Sequence, residues 1–196
     1  CGVNKAFLPK RRMDDNTLSR AEVARHCHNK DGGAIACLDA DKAYDRVDIA
    51  FLQQIMLAMG FPPSFVGMID TLYSSNWARL KVNGHIGDAF EQRNGLRQGL
   101  PSSCPLWNIF IEPLIRSVHY HSTLRGVKLP GEMGRGTMQH RVAAFADDVE
   151  CYAADMGEIE FLATSSRSPI KLYEVASRWQ RFSVEKFTII LLGKTA

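Results

Sequence analysis

The sequence lacks the marks of a membrane-spanning or secreted protein. Its longest apolar runs, such as residues 189–192, are far shorter than the roughly 18 residues that a membrane-spanning helix needs. No apolar segment follows the charged N-terminal stretch, so no signal peptide is visible and we expect an intracellular protein with no membrane partner. The 5 cysteines are scattered and form no CxxC pair, which argues against a disulfide framework and against a four-thiolate zinc site.

An extreme composition is also absent. Of the 196 residues, 45% are hydrophobic and 23% are charged, which excludes a disordered, collagen-like or coiled-coil chain and fits one domain with at most a partial neighbour. The net charge is only +3, but basic residues are concentrated before residue 31. This end could contact phosphates, although a solvated basic face explains it equally well. His26, Cys27 and His28 have a metal-like spacing, but no second ligand pair follows, so we favour an ordinary helix surface.

Short apolar runs and helical periodicities alternate along the chain. Residues 34–38 predict a strand buried on both faces, residues 141–146 predict a second strand, and the alternation before Asn83 and Gly84 predicts a β-hairpin. Further strands are predicted over residues 149–153 and 188–192, and helices over residues 21–27, 51–59, 65–73, 106–118 and 172–179. Asp48 is placed to cap the second of these helices. Strands interleaved first with helices and then with hairpins predict an α+β fold, a sheet with helices on one face.

Carboxylates follow both of the strongly apolar strands. Asp39 and Asp41 follow the first strand, and the pair Asp147 and Asp148 follows the second. Carboxylates crowded at the rim of a sheet repel one another, so such a site must take up a proton or bind cations. Mg²⁺ prefers oxygen ligands, and two such ions would activate an attacking hydroxyl and hold the leaving oxygen of a phosphoryl transfer. An Asp pair is also common in turns, but together with Asp39 the pattern favours a metal site.

Three stretches carry a resemblance to a known family. Their order and spacing resemble those of motifs A, B and C in the reverse transcriptases of LINE-type (non-LTR) retrotransposons. The three stretches are LDADKAYDRVD, GLRQGLPSSCPLWNIFIEPL and AFADDVECYA. The resemblance implies a reverse-transcriptase palm with an antiparallel sheet and helices on one face, plus partial fingers. It implies a partial fingers segment over residues 1–37 and a palm over residues 38–196. Residues 48–95 would be an insertion that contributes to the fingers, and no thumb would be present.

The resemblance also implies a role for each matching residue. Asp39, Asp147 and Asp148 would hold two Mg²⁺ ions, with Mn²⁺ as a substitute. Tyr44 would lie under the sugar of the incoming nucleotide and exclude a 2′-hydroxyl. The other implied site residues are Gln98 and Gly99 in the motif B turn beside the nascent base pair, Asn108 on the following helix, Lys186 as a general acid near the triphosphate, and Arg11 or its neighbour Arg12 as a fingers arginine. The implied partners are an RNA template, a DNA primer and a dNTP, and the implied location is the cytoplasm and nucleus.

The sequence departs from the family pattern in ways that leave alternatives open. Cys104 stands where a proline usually follows the motif B serine, and Glu150 interrupts the apolar residues after the motif C aspartates. One alternative is a haloacid-dehalogenase-like phosphohydrolase, with Asp39 as nucleophile and Asp41 as acid, which requires a parallel sheet. Another is a catalytically silent nucleic-acid-binding relic that keeps a basic N-terminal segment.

Overall fold

The structure, a computed structural model, describes residues 3–7, 10, 12–28, 32–130, 137–182 and 188–192. The helices are α1 (Met13–His28), α2 (Ile49–Ala58), α3 (Pro63–Tyr73), α4 (Ser103–His119), α5 (Met156–Thr164) and α6 (Pro169–Ala176). The strands are β1 (Gly33–Asp39), β2 (Trp77–Val82), β3 (His85–Glu91), β4 (Val127–Pro130), β5 (Thr137–His140), β6 (Val142–Phe145), β7 (Asp148–Ala153) and β8 (Thr188–Leu192).

A four-stranded sheet in the order β6-β7-β1-β8 organises the molecule. Every neighbouring pair in it is antiparallel, so β1, which leads to the first carboxylate, lies between β7 and β8. The strands β2 and β3 form a separate hairpin whose side chains are almost all exposed. The α+β class and the antiparallel sheet predicted from the sequence are confirmed. The predicted boundary after residue 37 falls inside β1, and the division into fingers and palm stays a prediction.

The main hydrophobic core lies on one face of the sheet. Alternate residues of β1, Ala34, Ala36 and Leu38, point into a cluster with helices α2 to α6, because successive side chains of a strand point to opposite faces. The largest buried side chains of this core, Trp107 and Phe110, come from α4. Helix α2 is positioned by Asp48, whose carboxylate accepts a hydrogen bond from the Phe51 amide at 3.0 Å and caps the helix as the sequence predicts.

Helix α1 packs against the opposite face of the sheet. Its buried residues Val23 and Cys27 form a smaller cluster with Ile35 of β1 and Tyr152 of β7. The sequence predicted this helix only from residue 21, whereas it begins at Met13, because its first turns have no buried residue and therefore show no apolar periodicity. Helix α5 and the hairpin β4–β5 are short elements that the sequence analysis did not predict.

Neither a membrane-spanning helix nor a disulfide occurs in the described part of the chain. No helix there is both long enough and apolar enough to span a bilayer. The four cysteines in the described ranges, Cys27, Cys37, Cys104 and Cys151, are free thiols. Burial raises the pKa of Cys151 to about 12, so this thiol stays protonated and acts as a small apolar side chain.

Candidate active site

The carboxylates predicted to act together lie at one edge of the four-stranded sheet. Asp39, the last residue of β1, is paired directly with Asp148, the first residue of β7. Residues that face each other across an antiparallel pair have their side chains on the same face of the sheet, with Cβ atoms about 5 Å apart. Asp147 precedes Asp148 in the turn between β6 and β7. We call these three residues the carboxylate edge.

The turn that carries Asp147 has a strained backbone. Ala146 adopts a φ of 56°, a left-handed conformation that residues with a Cβ rarely adopt. The carbonyl oxygen of Ala146 accepts a hydrogen bond from the indole Nε1 of Trp107 at 2.9 Å, so α4 supports the turn from the core side. In β6, the strand that leads into this turn, the carbonyl of Ala144 accepts hydrogen bonds from the Lys5 amide and the Asn16 side chain.

Electrostatics at the carboxylate edge disfavour the ionised form of Asp148. Partial desolvation of its carboxyl, together with the charges of Asp147 and Asp39, raises the pKa of Asp148 above its ordinary value, and Arg20 of α1 partly opposes this shift. Arg20 forms an ion pair with Glu150, and the Tyr152 hydroxyl donates to the same carboxylate at 2.9 Å. Glu150, the residue that interrupts the family pattern, therefore has two partners, and Arg20 interacts electrostatically with both Glu150 and Asp148.

Asp39 and Asp148 present carboxylate oxygens, the ligand type that a hard divalent ion prefers. Among the described residues, no three His, Cys, Asp or Glu side chains lie close enough together to hold an ion. A cation bound between the facing carboxylates would relieve their mutual repulsion. Mg²⁺ is bound in this way in enzymes that act on phosphates, through one or two carboxylates completed by water and substrate oxygens.

Tyr44 lies beside the carboxylate edge on the loop between β1 and α2. Its ring stacks on Trp107 with centroids 5.5 Å apart and an interplanar angle of 22°. Burial raises the pKa of the Tyr44 hydroxyl most, followed by its hydrogen bond with Cys104 and repulsion from Asp147. The hydroxyl is therefore neutral at physiological pH. Cys104, which departs from the family pattern, is the neighbour of this hydroxyl, and α4 begins at Ser103 despite the missing proline.

The segment before α4 is tied to the loop that carries Tyr44. The Leu96 amide donates to the Tyr44 carbonyl at 2.7 Å, and the Gly95 amide donates to the Val47 carbonyl at 2.9 Å. Gly95 has a φ of 92°, and a Cβ there would lie 2.8 Å from the carbonyl oxygen of Asp45, so only glycine allows this approach. The two family motifs are thus joined by main-chain hydrogen bonds.

The predicted motif B residues Gln98 and Gly99 lie exposed in the turn before α4. The side chain of Gln98 donates to Asp45 at 3.4 Å, which places it next to the Tyr44 loop. Gly99 has a φ of 85°, and nothing lies within 4 Å of the position that a Cβ would take. This turn therefore offers an open surface next to the loop that carries Tyr44.

The remaining predicted residues are placed less directly at the site. Asn108 uses its side chain internally, since it accepts from Asn4 at 3.0 Å and donates to the Ala6 carbonyl at 2.9 Å. In the structure it therefore holds the N-terminal segment onto α4. Arg12 is exposed and pairs with Asp14 at 2.8 Å. Arg11 and Lys186 lie outside the described residues.

The sequence does not predict two residues that organise the site, Trp107 and Arg20. Trp107 lies on the apolar stripe of α4, and its spacing predicts only core packing. Arg20 is one of several basic residues before residue 31, and its sequence position indicates no partner. The bond from Trp107 spans 39 residues of chain and the Arg20 ion pair joins α1 to β7, so neither interaction leaves a local signal in the sequence.

Comparisons with known proteins show the family of the chain. The chain matches the family described as reverse transcriptase (RNA-dependent DNA polymerase) over residues 3–185. It is 32% identical over 155 residues to the transposon TX1 uncharacterized 149 kDa protein of Xenopus laevis, covering 78% of this chain and 11% of that protein. It is 31% identical over 152 residues to the retrovirus-related Pol polyprotein from the type-2 retrotransposable element R2DM of Drosophila melanogaster, covering 76% of this chain and 13% of that protein. The chain thus spans about a tenth of the length of these relatives.

Solved structures share the fold at low sequence identity. A telomerase from Candida tropicalis in complex with a fragment of telomeric RNA superposes with a TM-score of 0.61 at 10% identity, covering 97% of this chain and 30% of that chain. An apo telomerase from the same organism, truncated from its C-terminal domain, superposes with a TM-score of 0.58 at 13% identity. This match covers 100% of this chain and 37% of that chain. At these identities the likeness shows the fold alone.

Proposed function

Because the chain belongs to the reverse transcriptase family over residues 3–185, we propose that the carboxylate edge is the active site of an RNA-directed DNA polymerase of the non-LTR retrotransposon kind. One observation carries the proposal: Asp39 pairs directly with Asp148 across antiparallel strands, with Asp147 in the adjoining turn. The same antiparallel pairing is incompatible with the parallel sheet of a haloacid-dehalogenase-like phosphohydrolase, so that alternative is not favoured.

The proposed reaction joins the 3′-hydroxyl of a DNA primer, paired with an RNA template, to the α-phosphate of a dNTP. Reverse transcriptases use divalent metal ions, and here Asp39, Asp147 and Asp148 would hold two Mg²⁺ ions, with Mn²⁺ as a substitute. Such ions, when bound, activate the attacking hydroxyl and stabilise charge on the leaving oxygen. The pKa of Asp148 is raised by partial desolvation and by the charges of Asp147 and Asp39, and this supports the assignment because a bound cation would offset both effects.

The chain's own residues would position the nucleotide. The Tyr44 ring, held against Trp107, would lie under the sugar and exclude a 2′-hydroxyl by steric conflict. The exposed turn at Gln98 and Gly99 would let the nascent base pair approach the backbone closely. Lys186 as general acid and Arg11 as a triphosphate ligand remain predictions, and so does a working place in the cytoplasm and nucleus.

Primer extension on an RNA template tests the proposal. We expect Mg²⁺-dependent incorporation of dNTPs by the wild-type chain and its loss in Asp147→Asn, which removes a charge without changing side-chain volume. Asp88→Asn, at an exposed position of the β2–β3 hairpin, is the matched control and should retain activity.

Three other outcomes would contradict the proposal. Product formed without a divalent ion, or product unchanged in Asp147→Asn, would remove the carboxylate edge from catalysis. Salt-dependent binding of nucleic acid with no incorporation by the wild-type chain would instead identify the silent relic.

A further inference from the structure

Trp107 is a fully buried side chain that contacts two separate parts of the proposed site. Its ring stacks on Tyr44, and its indole N–H donates to the carbonyl of Ala146, next to Asp147. The aromatic ring that would face the nucleotide sugar and the turn that would carry a metal ligand therefore meet on one side chain. The proposed function gives no role to the hydrogen bond between Trp107 and Ala146.

The turn at Ala146 needs support from outside its own hairpin. Its φ of 56° is unfavourable for alanine, and such a conformation persists only when the surrounding structure imposes it. The backbone carbonyl that Trp107 holds belongs to the peptide unit immediately before Asp147. Fixing the orientation of that peptide fixes the direction in which the Asp147 side chain leaves the turn.

Trp107 is rigid enough to impose this conformation. It lies in α4 and is 0% exposed, and it packs on Phe110 with ring centroids 5.7 Å apart. The indole cannot leave its position without a movement of the helix or a cavity in the core. The hydrogen bond therefore connects the turn to the main hydrophobic core.

We propose that Trp107 is a positioning residue that holds the Ala146–Asp147 turn in its metal-binding conformation through the indole N–H and sets the place of Tyr44 through its ring. This inference rests on the proposed function, since it concerns the same site. It goes beyond that function in assigning one side chain the joint support of the metal ligand and of sugar discrimination. The two contributions are separable, because phenylalanine keeps an aromatic ring but has no donor, whereas leucine has neither.

The first test measures metal binding rather than catalysis. Mn²⁺ titrations followed by electron paramagnetic resonance report free ion and give a Kd for the wild-type chain, for Trp107→Phe and for the matched control Trp77→Phe, whose side chain is 63% exposed on β2. We expect Trp107→Phe to bind Mn²⁺ about five- to tenfold more weakly, the effect of one lost buried hydrogen bond, and Trp77→Phe to bind like the wild type. Equal Kd values for all three proteins would overturn the inference.

Hydrogen exchange separates local release of the turn from general loosening. In Trp107→Phe we expect faster amide exchange in the peptide covering residues 143–149 and unchanged exchange across α2 and α3. Adding Ala146→Gly should restore part of the Mn²⁺ affinity, because glycine adopts a positive φ without strain. A purely structural cavity at position 107 would not be rescued from position 146, so absence of rescue would contradict the inference.

A measurement on the unaltered fold keeps the inference testable if Trp107→Phe does not fold. By linkage, if the Trp107 hydrogen bond favours metal binding, metal must favour the hydrogen bond. Saturating Mg²⁺ should therefore slow exchange of the Trp107 indole proton by a similar factor, about five- to tenfold, with the indoles of Trp77 and Trp179 as internal references. Assignment follows from Trp77→Phe and Trp179→Phe. Mg²⁺ binding with no change at Trp107 would overturn the inference.

Nucleotide selection tests the role of the ring. We expect Trp107→Phe to keep the wild-type ratio of dNTP to rNTP incorporation, and Trp107→Leu to lower it. A ratio that falls equally in both variants would contradict separate roles for the ring and the N–H.

Failure of the proposed function is distinguishable from these outcomes, because the wild-type chain and Asp147→Asn would then show the same Mn²⁺ binding. Failure of the inference alone leaves Asp147→Asn impaired and Trp107→Phe normal.

Discussion

Replacing Asp148 with asparagine should stabilise the metal-free chain at neutral pH. The substitution keeps the shape of the side chain and removes one of two like charges that face each other across β1 and β7. A like-charge pair in this position costs up to about 1 kcal/mol. Because Asp148 is exposed, solvent screens part of the repulsion, and we expect a gain of about 0.5 kcal/mol in the free energy of unfolding. For 196 residues this corresponds to a rise in Tm of about 1 to 2 °C.

The dependence on pH has a definite sign. The raised pKa of Asp148 means that the folded chain holds this proton more tightly than the unfolded chain does. Stability contributed by this group is therefore present below the ordinary carboxyl pKa of 3.8 and is lost as the pH rises through the raised value. The advantage of Asp148→Asn should be complete at pH 7 and disappear near pH 3.

Differential scanning calorimetry in a chelating buffer is the assay, with Asp88→Asn as the matched control. Mg²⁺ should reverse the order, because it stabilises the wild type through ligands that the variant lacks. A lower Tm for Asp148→Asn at pH 7 in the chelator would refute the electrostatic account of the carboxylate edge. A gain that does not change between pH 7 and pH 3 would refute it equally.

Three further predictions concern the surroundings of the carboxylate edge. Gly95→Ala should lower the free energy of unfolding by about 2 kcal/mol or more, because its Cβ would lie 2.8 Å from the Asp45 carbonyl at a φ of 92°; an unchanged urea midpoint would contradict this. Asn108→Ala should speed amide exchange in residues 3–7, because it removes the two hydrogen bonds that hold this segment, worth about 1 to 2 kcal/mol together. Asn108→Asp keeps the acceptor for Asn4 but places a carboxylate oxygen against the Ala6 carbonyl, so it should speed exchange at least as much, and exchange unchanged in both variants would argue against the contact. Tyr44→Val should lower the preference for dNTPs over rNTPs by roughly 10- to 100-fold in primer extension, whereas Tyr44→Phe keeps the ring and should behave as the wild type; an unchanged preference in Tyr44→Val would show that the ring does not select the sugar.

Much of the fold was predictable because its signals are local. The apolar run 34–38 predicts a strand that is buried on both faces. Asn83 and Gly84 predict the hairpin turn, where they have positive φ values of 49° and 85°. Asp48 predicted the start of α2 through a bond to a residue three positions away. Helix α1 was placed too late because it touches the sheet through only two buried residues.

The candidate site shows the same difference between local signals, which the sequence contains, and long-range contacts, which it does not. The positions of Asp39, Asp147 and Asp148 at strand ends were readable, because a strand end and its polar residue are adjacent in the chain. The internal hydrogen bonds of Asn108 to Asn4 and Ala6 were not, because they join residues 104 and 102 positions apart. The same holds for Arg20, whose charge was visible but whose partner Glu150 was not.

By itself, the sequence determined which residues carry the acid, where the strands and turns fall, and which family the motifs resemble, since each depends on neighbours within a few positions. Only the tertiary structure decided that Asp39 faces Asp148 in register, that α1 covers the second face of the sheet, and that the Trp107 indole holds the Ala146 carbonyl. Pairing of this kind depends on how distant segments pack in three dimensions. The same buried tryptophan could satisfy its single donor in many ways, and only the packing of α4 against the β6–β7 hairpin selects this one.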